Sequence, residues 1–294
     1  MIPLQVSDHT FQWGSRTYLM GILNVTPDSF SGDGLLSRSN GVRAALEQAR
    51  HFLESGADLL DVGGESTRPG ASPVTAEEER ARVLPVITAL VREFPQALIS
   101  IDTSKSLVAE SALQAGAHLI NDVWGFRADP HMASVAAKHG APAILMHNRS
   151  KPAHAQVLET LGGRYVGMEY ENLLEDVKRE LLESVEIARA AGLPDHKIIL
   201  DPGIGFGKTV EQNLELLNRL AEIRALGFPL LLGASRKSFI GYTLNLPPDQ
   251  RLEGTAAAVA VGIVRGADII RVHDVKFMAR VAQMTDSIVR RTKS

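Results

Sequence analysis

The stretch LISIDTSKSLVAESALQAGAHLINDVWG (Leu98–Gly125) contains the unit from which most of this chain is built. A short apolar run ends in polar residues, a segment with helical spacing follows and closes at Gly116, and a second apolar run again ends in polar residues. Short apolar runs between turn residues are typical of buried strands, and glycine after the last helical turn is a common helix end. The stretch therefore predicts a strand at 97–102, a helix at 105–115 and a strand at 117–121.

The same unit occurs eight times along the 294 residues. Predicted strands lie at 19–24, 57–62, 97–102, 117–121, 142–146, 197–201, 229–233 and 268–273, and predicted helices at 41–55, 76–93, 105–115, 130–139, 169–191, 211–225, 251–265 and 274–291. Eight such units predict a (β/α)8 TIM barrel that occupies residues 1–294 as one domain. We expect residues 1–18 to form a short β extension below the barrel, with strands at Thr10–Trp13 and Thr17–Met20. Residues 148–168 are predicted to be the longest irregular stretch, in which Gly162-Gly163 marks a flexible loop.

The composition excludes several classes of protein. The net charge of −3 does not fit an electrostatic nucleic-acid binder, and the absence of cysteine excludes disulfides and thiolate chemistry. No apolar run reaches the length of about 18 residues that a membrane span needs, and the N-terminal residues lack a signal-peptide pattern. We therefore expect a cytoplasmic enzyme that acts on small molecules, without nucleic-acid or membrane partners.

Charged residues at the strand ends are predicted to point into the barrel. Successive residues of a strand face opposite sides, so Arg271 and His273 share a face with Ile269, and Asp201 shares a face with Ile199. A charge buried there without a partner or ligand is strongly unfavourable. Since the loops after the strands build the active site of a TIM barrel, these residues predict a polar site at its mouth.

Asp102, Asn121 and Asp201 end three different predicted strands. Two carboxylates and an amide that converge on a barrel mouth suit a ligand rich in N–H donors and ring acceptors, such as a pterin or a guanidine. The alternative is that each side chain caps the helix that follows it. Capping is most credible for Asp102, which precedes Thr103 and Ser104.

Cationic residues cluster in the same predicted loops. Arg271, His273, Lys237, Arg236 and Arg68 lie at strand ends or in the loops that follow them, and the loops after the seventh and eighth strands of such barrels often bind phosphate. We therefore expect an anion site in which Arg271 offers two parallel hydrogen bonds. Surface salt bridges are the alternative, chiefly for Arg236 and Arg68.

The segment GIGFGKT (Gly203–Thr209) does not fit a phosphate-binding P-loop. Pro202 stands where that motif requires its first glycine, and the segment follows the sixth strand rather than the first. The glycines instead predict a close backbone approach that leaves Phe206 over a ligand ring.

Candidate metal ligands are sparse. The first strand ends in Asn24-Val25-Thr26 and not in the His-x-His pair of metal-dependent hydrolases of this fold, so a zinc hydrolase is not expected. Asn24 can still offer one oxygen to a Mg²⁺ ion that keeps most of its waters, a common arrangement next to phosphates. Alternatively, Asn24 is an amide that stabilises a turn.

The first two loops after strands are long, at about 16 and 12 residues. The first contains Pro27, Asp28, Ser29, Phe30, Gly32 and Gly34, and the second contains Thr67, Arg68, Pro69 and Gly70. Their length and composition predict mobile lids over the site, and insertions without a function are the alternative.

Seven motifs occur in order along the chain: MGILNVTPDSFS (20–31), DVGGESTRPGA (61–71), SIDTSK (100–105), LMHNR (145–149), LDPGIGFGK (200–208), GASRKS (233–238) and IIRVHDV (269–275). Together they resemble the dihydropteroate synthase family of folate biosynthesis, over nearly the whole chain and with high specificity. One departure is local, since the family commonly has Asp-Gly-Gly after PDSFS and this chain has Gly32-Asp33-Gly34. It affects only the role of an acidic residue in the first lid.

The resemblance implies a transferase that condenses 6-hydroxymethyl-7,8-dihydropterin pyrophosphate with p-aminobenzoate and releases pyrophosphate. It implies pterin binding by Asp102, Asn121, Met146, Asp201, Phe206 and Lys237, pyrophosphate binding by Asn24, Arg68, Arg271 and His273 with Mg²⁺ on Asn24, and p-aminobenzoate binding by Phe30, Thr67, Pro69, Phe206, Lys237 and Ser238. The expected catalytic residues are Asp102, Lys237, Arg271, His273 and Arg68.

A homodimer through helices near the C-terminus and inhibition by sulfonamides are further implications of the resemblance. Two other functions stay open at this point: a methyltetrahydrofolate methyltransferase, which uses a similar pterin pocket, and a catalytically silent pterin-binding protein. The sequence Arg236-Lys237-Ser238 and the two long loops argue against the methyltransferase.

Overall fold

The computed structural model describes residues 1–26, 38–67, 71–158, 160–166 and 168–290. Its strands are β1 (Leu4–Val6), β2 (His9–Phe11), β3 (Tyr18–Asn24), β4 (Leu59–Gly63), β5 (Leu98–Asp102), β6 (Leu119–Asp122), β7 (Ala143–Met146), β8 (Ala155–Leu158), β9 (Gly162–Tyr165), β10 (Ile198–Asp201), β11 (Leu231–Leu232) and β12 (Ile269–Val272). Its α-helices are α1 (Arg38–Glu54), α2 (Ala76–Glu93), α3 (Ser106–Gln114), α4 (Met132–His139), α5 (Leu173–Ala190), α6 (Val210–Asn218), α7 (Leu220–Arg224), α8 (Ser238–Leu244), α9 (Leu252–Val264) and α10 (Val275–Val289).

Eight of these strands form one parallel sheet in the order β10-β7-β6-β5-β4-β3-β12-β11. The two ends of the sheet meet where the Leu200 N–H donates to the Pro229 carbonyl oxygen at 2.9 Å and Leu200 pairs with Leu230 in parallel. The sheet is therefore closed, and helices pack around it. This arrangement confirms the predicted (β/α)8 TIM barrel.

Two apolar layers hold the barrel together. The inner layer fills the amino-terminal half of the barrel and contains Met20, Leu59, Leu98, Leu119, Ile144, Ile199, Leu231 and Ile269, joined by Leu4, Val6 and Phe11 of the N-terminal hairpin. The outer layer joins the alternate strand residues, such as Ile270 and Val272, to the helices. Burial of each such Leu or Ile contributes roughly 1.5–3 kcal/mol to folding. The alternation places Arg271 on the same side as Ile269, as the sequence predicted.

The N-terminal extension packs under the barrel but differs from the prediction in its strands. β1 and β2 form an antiparallel hairpin in which Val6 pairs with His9. The prediction that Thr17–Met20 is the second strand of the extension is wrong, because this segment begins β3. Tyr18 belongs to the inner layer and pairs with Ile269 of β12.

The prediction of an irregular stretch at 148–168 is also wrong, because β8 and β9 form an antiparallel hairpin there that includes Gly162 and Gly163. Its sequence gives little alternation, and its order comes from tertiary contacts. The Tyr242 hydroxyl donates to the Gly162 carbonyl oxygen at 3.1 Å, and Arg251 Nη2 donates to the Leu161 carbonyl oxygen at 2.8 Å. Contacts of this kind between distant segments leave no local pattern in the sequence.

Two further helices depart from the prediction. The predicted helix at 211–225 is divided at Arg219, which lies between α6 and α7 and has φ −102° and ψ 18°. Its guanidinium donates to Glu215 at 2.8 Å and to Glu222 at 2.7 Å, so it holds both helices at the break. α8 was not predicted, since its 7 residues are too few for a helical repeat to be recognised.

Helix α2 begins where its cap residue predicts. The Thr75 hydroxyl accepts the Glu78 N–H at 3.2 Å, and Glu77, Glu78 and Glu79 occupy the first turn, where the helix dipole favours negative charge. Among the residues that the structure describes, no helix combines the length and the apolarity needed to cross a bilayer.

Candidate active site

The carboxyl ends of four neighbouring strands bring predicted site residues into one row at the barrel mouth. Asn24 of β3 lies opposite Gly63 of β4, Gly63 lies opposite Asp102 of β5, and Asp102 lies opposite Asn121 of β6. A Cβ on Gly63 would lie 3.5 Å from the Asp102 Cβ, and its absence leaves space between the side chains of Asn24 and Asp102. The loops of a TIM barrel build the active site at this end of the strands.

Asp201 faces the same mouth from β10, where it lies opposite Met146 of β7. Its side chain is buried, and Oδ1 accepts the Gly203 backbone N–H at 2.7 Å. Burial raises the pKa of Asp201, against the opposing effects of this hydrogen bond and of Lys237. No described residue donates to Oδ2, so one oxygen is fixed by the loop and the other can accept from a ligand.

An apolar wall of Val123, Met146 and Phe206 lies beside these polar groups. The Lys237 ammonium sits 3.9 Å from the centre of the Phe206 ring, a distance at which the ring face attracts a cation. Burial lowers the pKa of Lys237 to about 8, although Asp201 opposes the shift. The wall and the lysine together form a surface on which a flat ring can stack.

Arg271 crosses the mouth and binds two carboxylates. Its Nε donates to Asp61 Oδ2 at 2.6 Å, and its Nη2 donates to Asp102 Oδ2 at 2.6 Å. Asp61 Oδ2 also accepts from Asn121 Nδ2 at 2.9 Å, and the Asp61 side chain is fully buried. Burial opposes the charged form of Arg271, but Asp61 and Asp102 more than compensate and raise its pKa.

The helix-cap alternative for the three acceptors is not what the structure shows: Asp201 accepts the Gly203 N–H, and the next helix, α6, is capped by Thr209. Asp102 binds Arg271, Asn121 binds Asp61, and the residue that precedes α3 is Lys105, which makes no side-chain cap. Burial raises the pKa of Asp102 to about 7, with Arg271 opposing the shift and Asp61 adding to it. Asp102 can therefore change its protonation state near neutral pH.

Sequence reasoning did not include Asp61 among the site residues. Gly63 and Gly64 mark the start of a loop, but Asp61 lies within the predicted strand 57–62, where the alternation rule applies. Leu59 belongs to the inner layer, so Asp61, two residues later on β4, also faces the interior. A charged residue in a predicted strand at an inward position was the signal that could have identified it.

His273 and Arg236 have different surroundings, although both follow strands near the mouth. The Ser235 hydroxyl accepts the His273 backbone N–H at 3.2 Å and lies 3.1 Å from His273 Nδ1. Arg236 instead donates to both oxygens of Asp274, at 2.9 and 2.6 Å, and its side chain is 40% exposed. The salt-bridge alternative is therefore correct for Arg236, and the structure does not bring it into the site.

Asn24 is the predicted metal ligand. Its side chain is half-buried, and no described residue hydrogen-bonds to its amide. The described residues contain no group of three or more His, Asp or Glu side chains that could hold a metal ion. A single neutral oxygen fits Mg²⁺, which binds few protein ligands and completes its shell with water and phosphate oxygens.

Several predicted residues of the two long loops lie outside the described residues: Phe30, Asp33, Arg68 and Pro69. Thr67 is described and exposed, and Ser238 is the first residue of α8 next to Lys237. The interpretation of the loops as lids stays a prediction.

The described side chains suit a flat polar heterocycle that carries an anion. Asp201 and Asp102 provide acceptors for ring N–H groups, Lys237 provides donors, and Phe206 provides a stacking face. Arg271 of β12 gives its Nε and Nη2 to Asp61 and Asp102, and no described residue accepts from its Nη1, which can therefore donate to a negative group.

Comparison with known proteins agrees with this chemistry. Residues 20–273 match the family described as pterin binding enzyme. A dihydropteroate synthase of Clostridium beijerinckii is 50% identical over 289 residues, which are 98% of this chain and 100% of that protein.

Solved structures give the same result. A dihydropteroate synthase from Clostridium difficile, crystallised in the presence of pteroic acid, has a TM-score of 0.87 at 48% identity and covers 96% of this chain and 100% of its own. The Yersinia pestis dihydropteroate synthase in complex with a sulfonamide drug has a TM-score of 0.86 at 41% identity, with coverage of 98% and 99%. This chain therefore belongs to the pterin binding enzyme family and, within it, to the dihydropteroate synthases.

Proposed function

We propose that this chain condenses 6-hydroxymethyl-7,8-dihydropterin pyrophosphate with p-aminobenzoate to give 7,8-dihydropteroate and pyrophosphate. The observation that carries the proposal is the meeting of Asp102, Asn121 and Asp201 with Arg271 in one barrel mouth. The pteroic acid used with the Clostridium difficile relative supports the same reaction, because that molecule contains both a pterin and a p-aminobenzoate part.

In this proposal the pterin lies against the apolar wall of Val123, Met146 and Phe206, beside the Lys237 ammonium. Asp201 Oδ2 accepts from the amino-pyrimidine edge, while Asn121 and Asp102 bind the other ring N–H groups. Lys237 donates to the ring oxygen and nitrogen acceptors from the position it holds over Phe206. Hydrogen bonds to charged partners in a dry site each contribute about 1.5–3 kcal/mol, enough to orient the ring.

Arg271, His273 and Asn24, together with Arg68 of the second long loop, bind the pyrophosphate. Asn24 holds Mg²⁺, which when bound neutralises part of the charge on the leaving group. Arg271 acts in the same direction, because a cation that offsets developing negative charge makes pyrophosphate a better leaving group.

The reaction breaks the bond between the pterin methylene carbon and the pyrophosphate oxygen, and the electron pair stays on that oxygen. The methylene carbon then carries positive charge that spreads into the pterin, and the ionised Asp102 stabilises it. The arylamine nitrogen donates its lone pair to form the new C–N bond and loses a proton to water or pyrophosphate. Because an arylamine is a weak base and already has a free lone pair, no strong general base is needed.

The proposed p-aminobenzoate pocket lies next to the Phe206 ring. Phe206, Lys237 and Ser238 form its wall. The family resemblance implies further contacts to p-aminobenzoate from Phe30, Thr67 and Pro69, of which Phe30 and Pro69 lie outside the described residues. Sulfonamides resemble the arylamine and its acidic group, so they should compete with p-aminobenzoate at this pocket. Substitution of Phe30 or Pro69 should change sulfonamide sensitivity more than pterin affinity.

The release of pyrophosphate distinguishes this function from the two alternatives. A dihydropteroate synthase releases pyrophosphate when p-aminobenzoate is present and forms the conjugate in equal amount. A methyltetrahydrofolate methyltransferase binds pterins without any need for pyrophosphate, and a silent pterin-binding protein binds the substrate without turnover.

We also propose a homodimer through α9 and α10, which pack against each other. Val261 and Val264 of α9 and Phe277, Met284 and Ile288 of α10 are 42–64% exposed, and apolar patches of this kind mark protein interfaces. Sedimentation should give a dimer for the wild type and a monomer for Phe277→Glu, and a monomeric wild type would contradict the proposal. The cytoplasmic location expected from the sequence stays a prediction that cell fractionation can test.

A further inference from the structure

Lys208 is buried beneath the pterin pocket, although the reaction gives it no task. Its Nζ lies 2.9 Å from the Gly203 carbonyl oxygen, 3.1 Å from the Phe206 carbonyl oxygen and 2.9 Å from His147 Nδ1. An ammonium group has three N–H donors, and here each one has an acceptor. When Lys208 is charged it can only donate, so His147 then accepts through Nδ1 and carries its proton on Nε2. This nitrogen lies 3.1 Å from Glu180 Oε2, although the geometry is not that of a hydrogen bond.

The loop at 202–207 is fixed mainly by side chains that reach it from outside. A Cβ on Gly203, where φ is +70°, would clash with the His147 carbonyl oxygen, so the loop touches the end of β7 directly. On its other side, the Tyr170 hydroxyl donates to the Gly207 carbonyl oxygen at 2.9 Å. The loop therefore depends on these contacts, and those of Lys208 are the most numerous.

The far end of this network is anchored on α5. Glu180 accepts from Arg149 Nε at 2.8 Å and from Arg127 Nη1 at 3.3 Å, so its carboxylate is held in place. Burial lowers the pKa of Lys208 to about 7, although Asp201 opposes the shift. A buried ammonium is unfavourable unless its contacts compensate, and two of the three contacts are to carbonyl oxygens of the loop of the pterin pocket.

We propose that Lys208 is a positioning residue for the pterin pocket: it fixes Gly203, whose N–H orients Asp201, and Phe206, whose ring faces Lys237. The inference rests on the pterin-binding function proposed above. Lys208 lies behind the loop and acts through the two pocket residues that the loop connects.

The substitution Lys208→Met keeps most of the side-chain volume and removes all three donors. Calorimetry on the full chain would measure the affinity for uncharged 6-hydroxymethylpterin and for inorganic pyrophosphate. We expect pterin to bind about 10- to 100-fold more weakly, the scale of one or two lost buried hydrogen bonds, and pyrophosphate affinity to change less than about twofold. Lys197→Met is the matched control, because Lys197 donates to the Gly140 carbonyl oxygen at 2.5 Å at the opposite end of β10.

Equal losses for both ligands would overturn the proposal, because a general structural role affects the whole barrel. Unchanged pterin affinity in K208M would overturn it too. Failure of the wild type to bind pterin would instead contradict the proposed function. If K208M does not fold, Tyr170→Phe tests the proposal instead, because it removes the hydrogen bond from Tyr170 to the Gly207 carbonyl oxygen of the same loop. We expect about two- to fivefold weaker pterin binding in that variant, and unchanged binding would refute the positioning role.

Discussion

Replacing Asp201 by asparagine tests the pterin anchor with the smallest change of shape. In the structure, Oδ1 accepts the Gly203 N–H at 2.7 Å, and Oδ2 receives no donor from the described residues. Asp201 thus accepts a hydrogen bond from the loop with one oxygen and can accept one from the ligand with the other. Asparagine has only one acceptor oxygen and cannot do both.

The two orientations of the new amide set the size of the effect. If its oxygen stays with the Gly203 N–H, its NH₂ group faces the N–H donors of the pterin. If the amide flips, the buried Gly203 N–H loses its partner and the charge is still absent. Either way we expect a loss of about 2–4 kcal/mol, or roughly 30- to 900-fold in the dissociation constant of the pterin.

Calorimetric titration with 6-hydroxymethylpterin measures this loss directly. The affinity of Asp201→Asn for inorganic pyrophosphate is the internal control, and it should stay close to the wild-type value because the anion binds at β12. A pterin affinity within about twofold of wild type would refute the assignment of Asp201 as the anchor.

Arg271→Ala should weaken pyrophosphate binding about 10- to 100-fold and the binding of uncharged pterin much less, as measured by calorimetry. Equal losses of affinity for the two ligands would mean that Arg271 only supports the fold. The same change leaves two carboxylates unpaired, so chemical unfolding should show a loss of about 3–5 kcal/mol. The pKa of Asp102 is about 7, and its protonated form cannot stabilise a cation. Below that pH, kcat/KM should therefore fall about tenfold per pH unit, and a flat pH profile would contradict this prediction. This pKa in the folded protein lies above the ordinary value of 3.8, so ionisation of Asp102 lowers the stability of the fold as the pH rises from about 4 to about 7. A loss of activity in acid therefore cannot come from unfolding caused by Asp102. p-Aminobenzoate should bind only with pyrophosphate, Mg²⁺ and a pterin present, whereas tight binding to the bare enzyme would show a preformed pocket.

The strand pattern made most of the barrel predictable, because each strand and helix follows from local sequence. The inward direction of Arg271 and Asp201 also followed from counting along a strand. What could not be predicted are features fixed by distant partners. The hairpin of β8 and β9 depends on Tyr242 and Arg251, which lie far along the chain.

In the candidate site, too, single residues could be predicted from the sequence but their distant partners could not. Asp102 was predicted at the mouth, but its contact with Arg271 joins strands that are 169 residues apart in sequence. Arg236 and Arg271 are both arginines near strand ends, and only the structure shows that Asp274 holds the first away from the site. Lys208 lies within a glycine-rich motif of the sequence, yet the contacts on which its proposed role rests depend on where His147 lies.

Turnover of 6-hydroxymethyl-7,8-dihydropterin pyrophosphate with Mg²⁺, in the presence and absence of p-aminobenzoate, tests the proposed reaction most directly. Pyrophosphate and 7,8-dihydropteroate would be quantified in the same samples. The account predicts that both products appear in equal amounts, that p-aminobenzoate is required for dihydropteroate, and that Asp201→Asn greatly slows the reaction at low pterin concentration. Tight binding of the pterin substrate without formation of dihydropteroate would contradict the account and identify a pterin-binding protein that lacks this activity.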